Sequence, residues 1–350
     1  MAGRSKDGSV EALNREITIA GGGLAGLSLG IALRRAGIAA RVHEAGCYPR
    51  HRVCGEFISG VKMETLEALG IDRALEDARP NRTIRWSHGD RLIHADTLTE
   101  PALGISRHRL DERLSREFAR LGGELIVRSR LAPTGGEGHV WAAGRKATKG
   151  EWIGLKCHFQ GLDMEADLEM HVGETGYAGL ARIEDDRVNV CGLFRCDRTI
   201  KAPGSGLLPG YLKAGGLGAL AKRLAAAEPD EASFLGAAGF RLGRQHADPS
   251  LLTIGDAEAM IPPFTGNGMA MAFQAAEIAL APLRDYACGA REWNSVRAEI
   301  GRSLATRFRR RLSVAGALHP LLFASAGRNF LGFAAGLGCL PFQTLLRTVR

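Results

Sequence analysis

The glycine-rich run Gly21-Gly22-Gly23-Leu24-Ala25-Gly26 follows the β-branched segment Ile17-Thr18-Ile19-Ala20, and Leu24 to Arg35 then places small and apolar residues at Ala25, Leu29, Ala32 and Leu33. Strand, tight turn and helix in this order make a cradle for a pyrophosphate. Gly21 permits the turn, Gly23 lets backbone approach a phosphate, and Gly26 lets the helix close on the strand. The helix start offers free N–H groups and the positive end of its dipole. Glu44 stands eighteen residues after Gly26, just past the second strand Ala40-Arg41-Val42-His43. A carboxylate there accepts hydrogen bonds from ribose hydroxyls and repels a 2′-phosphate, which favours an unphosphorylated adenosine ribose such as that of FAD or NAD.

A second glycine segment lies more than two hundred residues later. The strand Leu251-Leu252-Thr253-Ile254 ends on Gly255-Asp256, and Pro262-Pro263-Phe264-Thr265-Gly266-Asn267-Gly268 leads into an alanine- and methionine-rich helix, Met269 to about Leu283. Between the two segments, the loop Gly46 to Gly60 carries Arg50-His51-Arg52-Val53-Cys54-Gly55-Glu56. Arg52, Cys54 and Glu56 are the candidates for catalysis. Cys54 also reads as a small buried hydrophobe.

The elements that must position these groups can be read in part. A helix from about Lys62 to Leu69 ends at Gly70, and Ile84 to Trp86 with Leu92 to His94 forms a hairpin about Gly89-Asp90. Ser106 opens a helix that runs to about Leu121 and stops at Gly122-Gly123, after which Glu124 to Val127 resumes a parallel sheet. From Trp152 the pattern changes to strands: Trp152 to Phe159, Ala166 to His171, Gly176 to Ile183 and Val188 to Phe194. An antiparallel sheet inserted into a dinucleotide-binding unit commonly walls a substrate pocket, although it also serves as plain structure.

Composition narrows the class. A chain of 350 residues with 45% apolar content buries a substantial core and is neither disordered nor fibrous. Its seven cysteines form no Cys-x-x-Cys pair, and no signal peptide is evident, so reduced thiols and a cytoplasmic setting are expected. The net charge of +8 is densest at Arg307, Arg309, Arg310 and Arg311, which read as a solvated helix face, with anionic lipid or a cofactor phosphate as the sharper alternative. No nucleic-acid motif accompanies the charge.

Taken with the second glycine segment, the chain resembles the p-hydroxybenzoate-hydroxylase-like FAD superfamily over roughly residues 16 to 285. That superfamily holds group A flavin monooxygenases, geranylgeranyl-reductase-like enzymes and flavin halogenases. The resemblance implies an α/β fold, a Rossmann-like FAD-binding domain with an inserted antiparallel β-sheet substrate domain and a helical C-terminal region. It implies that Asp256, after Gly255, binds the ribityl and pyrophosphate region, that Gly266, Asn267 and Gly268 present backbone N–H groups to the flavin pyrimidine edge, and that Arg107 of Arg107-His108-Arg109-Leu110-Asp111 also serves FAD. A helix N-terminus suits that edge because reduced flavin develops negative charge there.

Two departures bear on the chemistry. The superfamily often has Asp-Gly before the inserted sheet, where this chain has Ala143-Gly144, which leaves open how NAD(P)H approaches as transient reductant and whether a partner reductase replaces it. The halogenase signature Trp-x-Trp-x-Ile-Pro is absent. The resemblance thus implies an FAD-dependent oxidoreductase: a monooxygenase acting on a hydrophobic phenolic or polyketide-like molecule through a flavin C4a-hydroperoxide. An alkene reductase of the geranylgeranyl-reductase type and a flavin-binding protein without turnover are the alternatives.

The expected organisation is a leader over 1–15, an FAD-binding domain from 16–80, 105–150 and 245–290, a substrate domain from 81–104 and 151–244, and a helical region over 291–350. The last contains a glycine-interrupted apolar tail: Pro320-Leu321-Leu322-Phe323, Phe330-Leu331-Gly332-Phe333, then Leu337 to Leu346. Cover for the sheet domain, peripheral membrane contact and cover for a lipid-like substrate channel are its three readings.

Overall fold

The computed structural model describes residues 15–146, 148–245 and 248–324. The expected leader lies almost wholly, and the apolar tail past Ala324 entirely, outside the described residues.

A five-stranded parallel sheet forms around β1 (Ile17–Ala20), with β2 (Ala40–Glu44) beside it. Ile17, Ile19 and Val42 are completely buried, as strands covered on both faces require. Between them α1 (Leu24–Arg35) is buried over most of its surface. The expected loop before Gly60 contains a two-residue strand, β3 (Phe57–Ile58), and α2 (Met63–Leu69) follows, ended by Gly70 in the left-handed region. The hairpin is longer than its apolar centre suggested: β4 (Arg79–His88) and β5 (Arg91–Gly104). Helix α3 (Arg107–Arg120) starts where Ser106 accepts a hydrogen bond from the Arg109 N–H at 3.1 Å, a cap that satisfies an otherwise orphaned donor. Then β6 (Glu124–Val127) joins β2, and β7 (His139–Trp141) joins the other side of β1, all parallel.

The second sheet has eight strands. Its centre is β8 (Trp152–Gln160), β9 (Leu168–Val172), β10 (Gly176–Arg182) and β11 (Val188–Arg195), paired antiparallel as expected. One pairing corrects the expectation of a purely antiparallel sheet: β4 runs parallel to β9, because the chain enters the sheet through the hairpin and returns to it only after β6 and β7 have joined the first sheet. Two helices not foreseen, α4 (Leu207–Ala214) and α5 (Gly218–Ala225), cover one face with Leu208, Leu212, Leu220 and Leu224 against Leu155, Cys157, Phe159 and Val190. The edge strand β12 (Glu228–Ala238) was also not foreseen. Short strands β13 (Gly243–Arg244), β14 (Leu252–Thr253) and β15 (Ala259–Met260) lead into α6 (Gly268–Ala287), and α7 (Trp293–Phe323) closes the described chain.

Helix α7 corrects the reading of its arginine run. Arg307, Arg309 and Arg310 are exposed, but Arg311 is 5% exposed and donates to the Gln274 side chain at 2.9 Å. Burial next to Arg307 brings its guanidinium down to about 10. No helix among the described residues is long and apolar enough to cross a membrane.

Candidate active site

The two glycine segments meet. Gly255 (φ +62°) packs so closely on the first turn of α1 that a Cβ there would lie 2.9 Å from the Ala25 Cβ. Gly21 (φ +114°) presses on Ala142 and Ala143, where a Cβ would come within 2.3 Å of the Ala142 carbonyl oxygen. The segment that carries Ala143 therefore lies against the phosphate turn itself. Space opens where a cofactor would need it. A Cβ on Gly23 would meet only Arg107 Nη2, at 4.0 Å, and one on Gly268 would meet nothing within 4 Å. No side chain caps the start of α1, so the N–H groups of its first turn, from Leu24 to Gly26, face an anion site.

Charge is organised around that turn. Buried Glu44 accepts from the Gly22 N–H at 3.0 Å and the Gly46 N–H at 2.8 Å, with Arg50 at 3.2 Å and Arg52 at 3.4 Å. The carboxylate shapes the ribose end of the turn and keeps further acceptor capacity. Asp111, fully buried, holds two guanidinium groups at once: Arg107 through Nε at 2.7 Å and Nη2 at 2.9 Å, and Arg52 through Nε at 2.8 Å. Three arginines against two carboxylates leave an excess positive charge beside the glycine turn, where a diphosphate would balance it. Arg52, a sequence candidate for catalysis, is thus engaged at the nucleotide end.

Cys54 and Glu56 lie on the face of β8 opposite the α4–α5 layer. Burial pushes the Cys54 thiol up, against the pull of Arg107, so it stands protonated near neutrality. Glu56 is completely buried with its backbone in the left-handed region (φ 57°). Its carboxylate takes the Arg107 N–H at 3.0 Å, faces Lys156 Nζ at 3.3 Å and meets His158 Nε2 at 2.5 Å. Burial works to raise this carboxyl, yet Lys156 and the His158 hydrogen bond together hold it below the usual range. Lys156 also reaches His51 Nδ1 at 3.2 Å, and His51 stacks on His108 with ring centroids 4.5 Å apart.

Lys156 and His158 were missed in sequence. Their signal was two polar residues, two apart, inside the apolar run Trp152 to Phe159. Ligand atoms of His51, Glu56 and His158 lie within 4.8 Å of one another, as metal ligands would. The Lys156 ammonium already supplies the cation on that carboxylate.

The flavin end has matching features. Asp256 lies open to solvent in a cleft whose walls raise its carboxyl, while Arg107 and Arg145 draw it down. Gly266 (φ +67°) sits against the Phe57 ring. Asn267 is fully buried, its Nδ2 donating to the Thr265 carbonyl at 3.0 Å while its Oδ1 has no partner among the described residues. An orphaned acceptor at the uncapped start of a 20-residue helix awaits a ligand's N–H, and the helix N–H groups await a ligand's oxygens. These donor and acceptor sets fit FAD: the glycine turn and arginines its diphosphate, Asp256 its ribityl hydroxyls, Asn267 and Gly268 its pyrimidine edge. Replacing Asp256 by Ala is expected to weaken FAD binding by about 1–3 kcal/mol, the worth of a hydrogen bond to a charged group. Fluorescence titration of the apoprotein measures it, and unchanged affinity places the ribityl chain elsewhere.

Beyond the flavin end lies an aromatic box. Trp86, Trp152, Tyr177, Phe240, Phe264 and Phe323 cluster with Met170, Met260 and Leu193. The Phe264 N–H donates to the Tyr177 hydroxyl at 3.2 Å, which ties the box to the Pro262–Gly268 segment.

Comparison with known proteins agrees with this geometry. Residues 14–159 match the family model described as FAD binding domain. No curated protein matches the chain. Among solved structures, p-nitrophenol 4-monooxygenase PnpA from Pseudomonas putida DLL-E4 superposes with TM-score 0.75 at 14% identity, covering 96% of this chain and 97% of that one. P. aeruginosa PqsL, in complex with 2-aminobenzoylacetate, gives 0.69 at 18%, covering 91% and 99%. The flavin-dependent brominase Bmp2 gives 0.72 at 15%, covering 96% and 93%, so oxygenases and halogenases share this fold. The chain thus carries an FAD binding domain over residues 14–159 and has the fold of these flavin-dependent enzymes.

Proposed function

We propose that the chain is a monooxygenase that hydroxylates a hydrophobic, ring-bearing small molecule of phenolic or polyketide-like type. The aromatic box carries this reading. A substrate ring held among Trp86, Trp152, Tyr177 and Phe264 lies beside the segment that binds the flavin, in surroundings that keep water out. Bound and reduced, FAD supplies the activated oxygen. The protein's part is to orient the ring by apolar contact and stacking, and to exclude bulk solvent from the reacting face. PnpA is a p-nitrophenol 4-monooxygenase and PqsL forms a complex with 2-aminobenzoylacetate, which accords with a ring-shaped substrate here. The missing halogenase signature weighs against halogenation.

The buried Glu56, Lys156 and His158 favour a second reading, an alkene reductase, because such an enzyme needs a proton source near the flavin. The reductant is proposed to be NAD(P)H, bound transiently at the flavin face despite Ala143. Anaerobic addition of NADPH or NADH to the FAD-loaded protein should bleach the flavin absorbance, and a flavin that neither nucleotide bleaches would point to a partner reductase or to binding without turnover. Oxygen uptake matched by a hydroxylated phenol would support the oxygenase. Saturation of a double bond without oxygen would establish the reductase instead.

A further inference from the structure

One imidazole enclosed in the aromatic box has a ring nitrogen with no partner among the described residues. His319, on the last turns of α7, is 7% exposed, and its Nε2 has no hydrogen-bond partner among the described residues. Rings surround it: Trp152 at 5.2 Å and Phe323 at 5.1 Å between centroids, Tyr177 and Phe264 each at 6.2 Å. Of these rings, Tyr177 has its hydroxyl turned to the Phe264 N–H. A buried acceptor left unpaired costs stability that a well-placed donor restores, so such an atom in a native pocket calls for an explanation.

We propose that His319 Nε2 is the acceptor that holds the substrate's hydroxyl, so that the site selects an aromatic molecule with a neutral O–H donor. Burial keeps the imidazole at about 4, so near neutrality it is uncharged, and its Nδ1–H tautomer offers a lone pair on Nε2 to a donor. The rings nearest His319 are uncharged, and the guanidiniums that reach the box lie over ring faces, Arg145 on Phe240 at 4.0 Å and Arg195 on Trp152 at 5.7 Å from the centroids. Phe264 links the position to the flavin segment: its ring stacks on His319 at 29°, and it stands two residues before Gly266. A hydroxyl fixed here registers the substrate ring against the flavin face, as ring hydroxylation demands. This inference rests on the box being the substrate site of the proposed oxygenase.

Binding, rather than turnover, tests it. FAD-loaded protein is titrated by calorimetry with 2-naphthol and with naphthalene, which share a ring system but differ in the O–H donor. Wild type is expected to prefer 2-naphthol by about tenfold or more, as one buried hydrogen bond allows. His319→Leu should reduce the preference below about threefold, and His319→Gln, whose amide oxygen reaches toward the Nε2 position, should keep most of it. His319→Phe repeats the measurement if the leucine variant fails to retain FAD. A preference that survives in the apolar variant overturns the proposal, as does a wild-type protein that does not favour 2-naphthol. Discrimination that behaves as expected while no phenol is oxygenated would instead overturn the oxygenase reading and leave the hydroxyl-binding role intact.

Discussion

Replacing Glu56 by Ala is expected to cost about 3–5 kcal/mol of stability, the usual penalty for removing one partner of a buried ion pair. Lys156 is completely buried and would lose the one carboxylate that pairs with it among the described residues, keeping the His51 ring at 3.2 Å. His158 would keep its place in the core with Nδ1 already unpartnered and Nε2 newly so. The Arg107 N–H would be orphaned in the same step. For a chain of this length the loss corresponds to a fall in melting temperature of about 4–7 °C. Glu56→Gln should fall between wild type and Ala, because the amide still accepts from the Arg107 N–H but brings no charge to Lys156. Thermal melts of the FAD-free proteins read the effect on the fold alone. An alanine variant that melts with wild type would mean that the buried pair does not form.

The position of Glu56 shows what a sequence can and cannot convey. The glycine turn was legible because every part of it is local: β-branched strand, three glycines and a helix lie within twenty residues, and φ and packing at each glycine follow from its neighbours. The cap at Ser106 and the stop at Gly70 were legible for the same reason. Glu56 meets His158 across 102 residues and Lys156 across one hundred, so nothing near it reports the pairing. The strand β12 was hidden for another reason. Glu228-Pro229-Asp230 begins it, its register with β8 slips between Asp230 and Leu235, and an edge strand with a bulge needs no period-two pattern. Arg311 and His319 look like parts of an ordinary polar helix face, and only the packing of α7 on other segments buries them. The charged run misled because three of its four arginines behave as their chemistry suggests and one does not.

Gly26→Ala is expected to weaken FAD binding, and the reason lies in geometry that helix propensity opposes. Inside a helix, alanine is favoured over glycine by about 1 kcal/mol, so on local grounds the substitution should stabilise α1. A Cβ at this position would, however, lie 2.0 Å from the Gly21 carbonyl oxygen and 3.1 Å from Ile19 Cγ2. The first of these is backbone of the turn itself, which cannot swing aside as a side chain would. Either α1 lifts from β1 or the turn opens, and each displaces the N–H groups that would face the diphosphate. Overpacking of this kind costs about 1–3 kcal/mol, more than the propensity gain at its upper end. Loss of aligned N–H contacts should add a fall in FAD affinity of about 1–3 kcal/mol, or roughly 5- to 150-fold. The same substitution at Gly301, in α7, meets nothing within 4 Å and should leave FAD affinity unchanged while raising stability by about 0.5–1 kcal/mol. Fluorescence titration and thermal melts of the two variants side by side separate the effects. A Gly26→Ala protein that holds FAD as wild type does would remove the first glycine turn from the cofactor site, since no cofactor diphosphate could then depend on the contact between Gly21 and α1.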